Sequence, residues 1–154
     1  MNTPEDICFE DQTTAQACLG TLRAACGDPF LSGLHEVLAR CGDPDHGLVG
    51  LTRFLETANY DPDEITRMRE APEYLRMLVE LFSQGSLMCD ILCGTPSHGR
   101  WLWENAFPDR GRSREEMLAM LDEAFKEVTD FDGRQRWLRR FSRLEKLRIT
   151  VREV

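Results

Sequence analysis

The sequence predicts an all-α fold, a bundle of about eight or nine helices, and three observations carry that expectation. Apolar side chains recur every three or four positions along most of the chain. Asp-Pro pairs that open helices and glycines that close them punctuate the stripes. No segment shows a strand's alternation bounded by turn residues; Leu147 to Val154 comes closest, and there a helical stripe is already running.

Taken in order, Ala15, Cys18, Leu19, Leu22 and Cys26 make the first stripe, which Gly27 breaks. Asp28-Pro29, Asp43-Pro44 and Asp61-Pro62 each read as an acidic N-cap followed by a proline whose missing N–H costs nothing in a first turn. The first of these opens Phe30, Leu31, Leu34, Val37, Leu38 and Cys41, closed by Gly42. The second opens Leu48, Leu51, Leu55 and Ala58, with Arg53, Glu56 and Asn59 on other faces. The third starts a shorter helix to about Ala71, and Pro72 begins an apolar one through Leu75, Leu78, Val79 and Phe82. Ser86 is expected to cap a helix carrying Met88, Ile91 and Leu92, ended by Gly94, Thr95 and Pro96. A short aromatic turn with Trp101 and Trp103 follows, then a loop from Pro108 to Arg112. Ser113 and Glu116 form a capping box ahead of Met117, Leu118, Leu121, Phe125 and Val128. The last helix runs from about Gly133 to the chain end, with Asp132 as its cap and a seam of Trp137, Phe141, Leu144, Leu147 or Arg148, Val151 and Val154.

At 154 residues and 42% hydrophobic content, one helical domain over 1–154 can bury a core without disulfides. The six cysteines are irregularly spaced and expected to stay reduced, with Cys18, Cys26 and Cys41 filling core positions. No run of about 20 apolar residues is present to cross a bilayer, and Met1 to Asp6 lack the basic start of a secretion signal, so a cytoplasmic location without membrane contact is expected. The net charge of −8 argues against nucleic acid as a partner. That average hides a polarity: eight basic and two acidic residues lie between Arg134 and Val154, leaving −14 on the rest.

Candidate chemistry is sparse. Asp43-Pro44-Asp45 and Asp61-Pro62-Asp63 imitate a magnesium-holding Asp-x-Asp pair, but such a pair needs one strand face, and acids flanking a proline at a helix start serve as caps. Cys89 and Cys93 share a helix face, with Asp90 and His98 near in sequence, yet a closed zinc site needs four ligands. A metal-stabilised helical protein using that pair is the weakest of three readings. Asp130-Phe131-Asp132-Gly133 fails the register of a calcium loop. His35, His46 and His98 have no readable nucleophile partner, and no glycine-rich phosphate loop appears. No catalytic, cofactor-binding or metal residue is assigned. What remains is the basic final helix, where Arg136, Arg139, Arg140, Arg143, Lys146 and Arg148 surround an apolar seam. They form either a solvated face or a contact to a neighbouring domain or acidic partner.

Three stretches together resemble the N-terminal helical region of glutamine synthetase adenylyltransferase: residues 43–58 (DPDHGLVGLTRFLETA), 73–93 (EYLRMLVELFSQGSLMCDILC) and 138–153 (LRRFSRLEKLRITVRE). In the last stretch Leu138, Arg139, Phe141, Arg143, Leu147, Arg148, Ile149, Arg152 and Glu153 match the family's helix that leads into a nucleotidyltransferase domain. In the middle one, Leu81, Phe82, Ser86, Asp90 and Leu92 fit a leucine-rich helix, a small-residue turn and a second helix. The resemblance covers residues 42–154 and leaves the helices of 1–41 unplaced. It implies a larger bifunctional enzyme that attaches AMP to a tyrosine of glutamine synthetase and removes it by phosphorolysis. Magnesium and ATP would serve that parent, and the PII signal protein and glutamine would regulate it. The family's Gly-Ser helix and Asp-x-Asp strand are not among these residues, so this segment is expected to be inactive alone. Its implied partners are the adjoining nucleotidyltransferase domain and glutamine synthetase, with PII reached through the parent enzyme. A free-standing helical interaction module with a basic C-terminal helix is the alternative.

Overall fold

Helix initiation in this chain is decided by short polar side chains that satisfy first-turn amides, and the computed structural model, which describes residues 7–105 and 111–153, shows which of them do so. The described residues form nine helices and no strand: α1 (Gln12–Cys26), α2 (Asp28–Leu38), α3 (Pro44–Thr57), α4 (Pro62–Glu70), α5 (Pro72–Ser83), α6 (Ser86–Gly94), α7 (Ser97–Asn105), α8 (Arg114–Glu127) and α9 (Phe131–Glu153). Asp43 accepts from the His46 amide at 3.0 Å and Asp61 from the Asp63 amide at 3.1 Å, as their Asp-Pro contexts predict. Hydrogen bonding to His46 holds the Asp43 carboxyl below its usual range. The Ser113–Glu116 capping box is complete in both directions.

Three starts differ from expectation, each for a local reason. Gly27 is the N-cap of α2, because its φ of +81° turns the chain sharply between α1 and α2; Asp28 then falls inside the first turn and pairs with Arg23 at 3.1 Å. Gly85, at φ +114°, does the same ahead of α6, so Ser86 is helical rather than a cap. At α9 the Gly133 amide is taken by Asp130, not Asp132, and the helix begins two residues earlier than its glycine suggested. The expected aromatic turn around Trp101 and Trp103 is helix α7. Of the expected Pro108–Arg112 loop, residues 108–110 lie outside the described residues.

Contacts group into two compact units, one ending at Arg100 and one running Trp101–Glu153. In the first unit α3 is the hub, packed on α1, α2, α5 and α6. Its Leu48, Leu51, Phe54 and Leu55 are fully buried, as are Leu78, Leu81 and Phe82 of α5, against which it packs. Phe54 and Phe82 meet at 5.9 Å between ring centroids. Cys18, Cys26 and Cys41, expected in the core, are half-buried at its edge and free.

The α3–α5 approach is close because Gly50 lets it be. A Cβ added there would stand 2.6 Å from Phe82 Cβ and Cγ. We expect Gly50→Ala to destabilise the first unit by about 1–3 kcal/mol through overpacking, outweighing the ~1 kcal/mol of helix propensity alanine gains. Urea unfolding followed by circular dichroism measures it; an unchanged or raised midpoint would mean that the two helices are not locked ridge to groove.

The second unit is organised differently. Helix α8 has no fully buried residue, and Leu118 and Met120 are exposed. Its Phe125 meets Trp137 edge-on at 6.1 Å, and Trp137 stacks on Phe141 at 5.0 Å along α9. Among the described residues no helix is long and apolar enough to cross a membrane.

Candidate functional site

Helix α9 is 23 residues long and unbroken, and it carries every residue singled out as a contact candidate. Its spacing separates two kinds of side chain. Leu147 is fully buried and Val151 nearly so, which fixes the inward face. Arg136, Arg139, Arg140, Arg143 and Lys146 all stand exposed, set three or four residues apart so that they share one continuous stripe. Arg139 donates to the Gln135 side chain, at 3.3 Å. Phe131, Leu138 and Ile149 are exposed on the same helix, at 73%, 41% and 54%.

Arg148 stands apart from that stripe. It is 4% exposed and donates twice to Glu145 Oε2, at 3.2 and 2.9 Å. Glu145, itself buried, also accepts from Arg112 through its other oxygen. One carboxylate thus holds two guanidiniums and ties the chain ahead of α8 to α9. A cavity of about 170 Å³ lies beside Arg112 and Glu145, lined also by Trp101, Trp137, Arg140, Phe141 and Leu144.

A second polar cluster, in the first unit, was not foreseen. Glu64 of α4 is 4% exposed and accepts from the Tyr74 hydroxyl, from Arg67 at 2.9 Å and from Arg100 at 3.5 Å. Burial, then the bond to Glu64, pushes the Tyr74 phenol well above its ordinary range, so it stays protonated and donating. Gly99 lies against Tyr74, where a Cβ would be 3.0 Å from the hydroxyl. The cluster therefore joins α4, α5 and the start of α7. The Glu64/Arg67 spacing was a visible signal, but only the fold shows that Tyr74, ten residues on, supplies the donor.

The remaining candidates are structural in their contacts. Asp43 caps α3 and binds the His46 ring at 2.8 Å, while Asp45 accepts from the Glu10 and Asp11 amides at 2.9 and 3.1 Å and pins the segment before α1. Asp61 caps α4 and lies 3.9 Å from Arg100. Cys89 and Cys93 are brought together, sulfur to sulfur at 3.7 Å, but His98 is not itself among their hydrogen-bond partners. Among the described residues no group of three or more His, Cys, Asp or Glu side chains is placed to hold a metal ion. A groove of about 270 Å³ between α2, α4 and α5 mixes Arg40, Arg69 and Arg76 with Glu36 and Glu73, so it presents no single sign of charge. Comparison of the chain with protein families, with curated proteins and with solved structures finds no match.

Proposed function

We propose that this chain is the N-terminal helical module of a glutamine synthetase adenylyltransferase, a scaffold and substrate-docking element that carries no catalytic group of its own. The observation that supports the reading is the division of labour on α9. The residues that resemble the family's last helix lie on one uninterrupted helix. Leu147, Arg148 and Val151 face inward and anchor it, while Arg139 and Arg143 project outward with Arg136, Arg140 and Lys146. Such a helix fixes the direction in which a following domain leaves the module and offers that domain, or an acidic protein surface, five cations in a row. An enzyme acting on one tyrosine of a large protein needs contacts far from the reacting atom, because remote binding energy positions the target.

The reading is tested by titrating glutamine synthetase with the purified chain in a calorimeter. The Arg139→Glu/Arg143→Glu variant should bind about tenfold or more weakly, and wild-type affinity should fall with added salt. Arg23→Glu, an exposed reversal on α1, should leave binding unchanged. Equal affinity for the wild-type chain and the α9 variant would remove α9 as the docking surface and favour a solvated face.

A further inference from the structure

Helix α6 brings two thiols together against a guanidinium, and the docking role of α9 makes no use of them. Cys89 and Cys93, four residues apart, project from one face of α6 toward α3, with both residues 6% exposed. Their sulfurs are 3.7 Å apart, and Cys93 Sγ lies 4.0 Å from the Gly50 carbonyl of α3. Arg53 of α3 directs Nη1 at Cys89 Sγ from 3.5 Å, and its own side chain is half exposed, so Cys89 sits just under the rim of the α3–α6 contact. Asp90 competes for the same guanidinium at 3.6 Å, from the solvent side. Cys89 is also the fourth residue of α6, inside the first turn, where the helix end favours an anion.

We infer that Cys89 and Cys93 form a reactive dithiol site that takes a hydroperoxide and closes to an intrahelical disulfide, with Cys89 as the attacking sulfur and Cys93 as the resolving one. Positions four apart on a helix have Cα atoms about 6 Å apart, within the span a disulfide bridges. Their Cβ atoms are about 5–6 Å apart and must close to about 4.5 Å or less, so oxidation loosens the α6 turn between them. The Cys89 thiolate attacks the terminal oxygen of the hydroperoxide, the O–O bond breaks, and Cys89 becomes a sulfenic acid. The departing alkoxide, or hydroxide where the oxidant is hydrogen peroxide, takes a proton to form the alcohol or water. Cys93 then attacks the Cys89 sulfur, the S–O bond breaks, and the hydroxide released takes the Cys93 proton. Two thiols and one hydroperoxide give a disulfide, water and the reduced alcohol, or a second water from hydrogen peroxide itself. The thiol of Cys93 and the charge of Arg53 draw the Cys89 thiol down to about 7, which favours its thiolate near neutral pH. The Arg53 guanidinium directed at Cys89 Sγ assigns Cys89 as the attacking sulfur, and the contact with Cys89 together with burial pushes the Cys93 thiol the other way.

Tryptic cleavage tests this cleanly, because the peptide from Met77 to Arg100 holds both cysteines and no other. After one equivalent of hydrogen peroxide at pH 7 and blocking of free thiols, that peptide should be found unblocked and lighter by two hydrogens. In Cys93→Ser, Cys89 should instead be captured by a sulfenic-acid reagent. Arg53→Gln, a half-exposed change whose fold is checked by circular dichroism, should slow iodoacetamide labelling of Cys89 at pH 7 by about threefold or more. A fully blocked Met77–Arg100 peptide after peroxide, disulfides from it to Cys8, Cys18, Cys26 or Cys41, or labelling of Cys89 unaffected by Arg53→Gln would each overturn the assignment.

Discussion

Glu64→Ala should lower the unfolding free energy of the first unit by about 3 kcal/mol, at the lower end of the range for removing one member of a buried charged pair. The carboxylate is 4% exposed and holds Tyr74, Arg67 and Arg100, so its loss strips three donors of an acceptor at once. The figure stays at the lower end because Arg67 and Arg100 are 27% and 42% exposed and can turn to water. Tyr74, at 0% exposure, has no such route by its own movement. Glu64→Gln keeps an acceptor for the phenol and gives up the charge, so it should cost roughly half as much. Chemical denaturation read by circular dichroism ranks the three proteins. If alanine and glutamine prove equally mild, Glu64 is not what fastens α4, α5 and the start of α7.

Phe54→Ala should be as damaging or more so, about 3–5 kcal/mol, for a different reason. Its ring is fully buried on the hub helix, lies against Phe82, and closes the space next to Gly99, whose added Cβ would be 3.3 Å from Phe54 Cζ. Truncation leaves a void walled by α3, α5 and α7 residues that cannot all collapse into it. Phe54→Leu, which refills part of the volume, should recover more than half of the loss. A truncation costing under about 1 kcal/mol would show that the site relaxes freely, contrary to a core locked at Gly50 and Phe82.

Both effects involve residues that the sequence exposes unequally. The helical class and most helix limits were legible because caps and apolar period are local: Asp43, Asp61 and Ser113 do what their neighbours at plus one to plus three dictate. Gly27 was read as closing a helix and also opens the next, as Gly85 does ahead of α6, since a residue with positive φ can turn the chain from one helix into another without a linker. Phe54 was left off the predicted face of α3 because a helix packed by α1, α5 and α6 is buried on more than one stripe, which a single-stripe reading does not capture. In α8 the reverse holds. Leu118 was expected inward and is 45% exposed, as the stripe of that helix has few partners within its unit.

The candidate contact surface was legible for the same reason as the helices and incomplete for another. Charge spacing alone places Arg136, Arg139, Arg140, Arg143 and Lys146 on exposed positions of α9. It does not reveal that Glu145, three residues before Arg148 on the same helix, is also held by Arg112, which lies 33 residues before Glu145. The Cys89–Cys93 pair was visible as a spacing, but Arg53, on which its chemistry depends, arrives from a different helix.

The most direct test of the central claim, a non-catalytic helical module serving an adenylyltransferase, is to follow loss of adenylyl groups from adenylylated glutamine synthetase. Phosphate and magnesium are supplied, and a nucleotidyltransferase domain of the family, stripped of its own helical region, is assayed with and without this chain. The account predicts no loss with the chain alone and a faster loss when chain and domain are combined, diminished again by Arg139→Glu/Arg143→Glu. Turnover by the chain alone, or a domain whose rate ignores its presence, would contradict it.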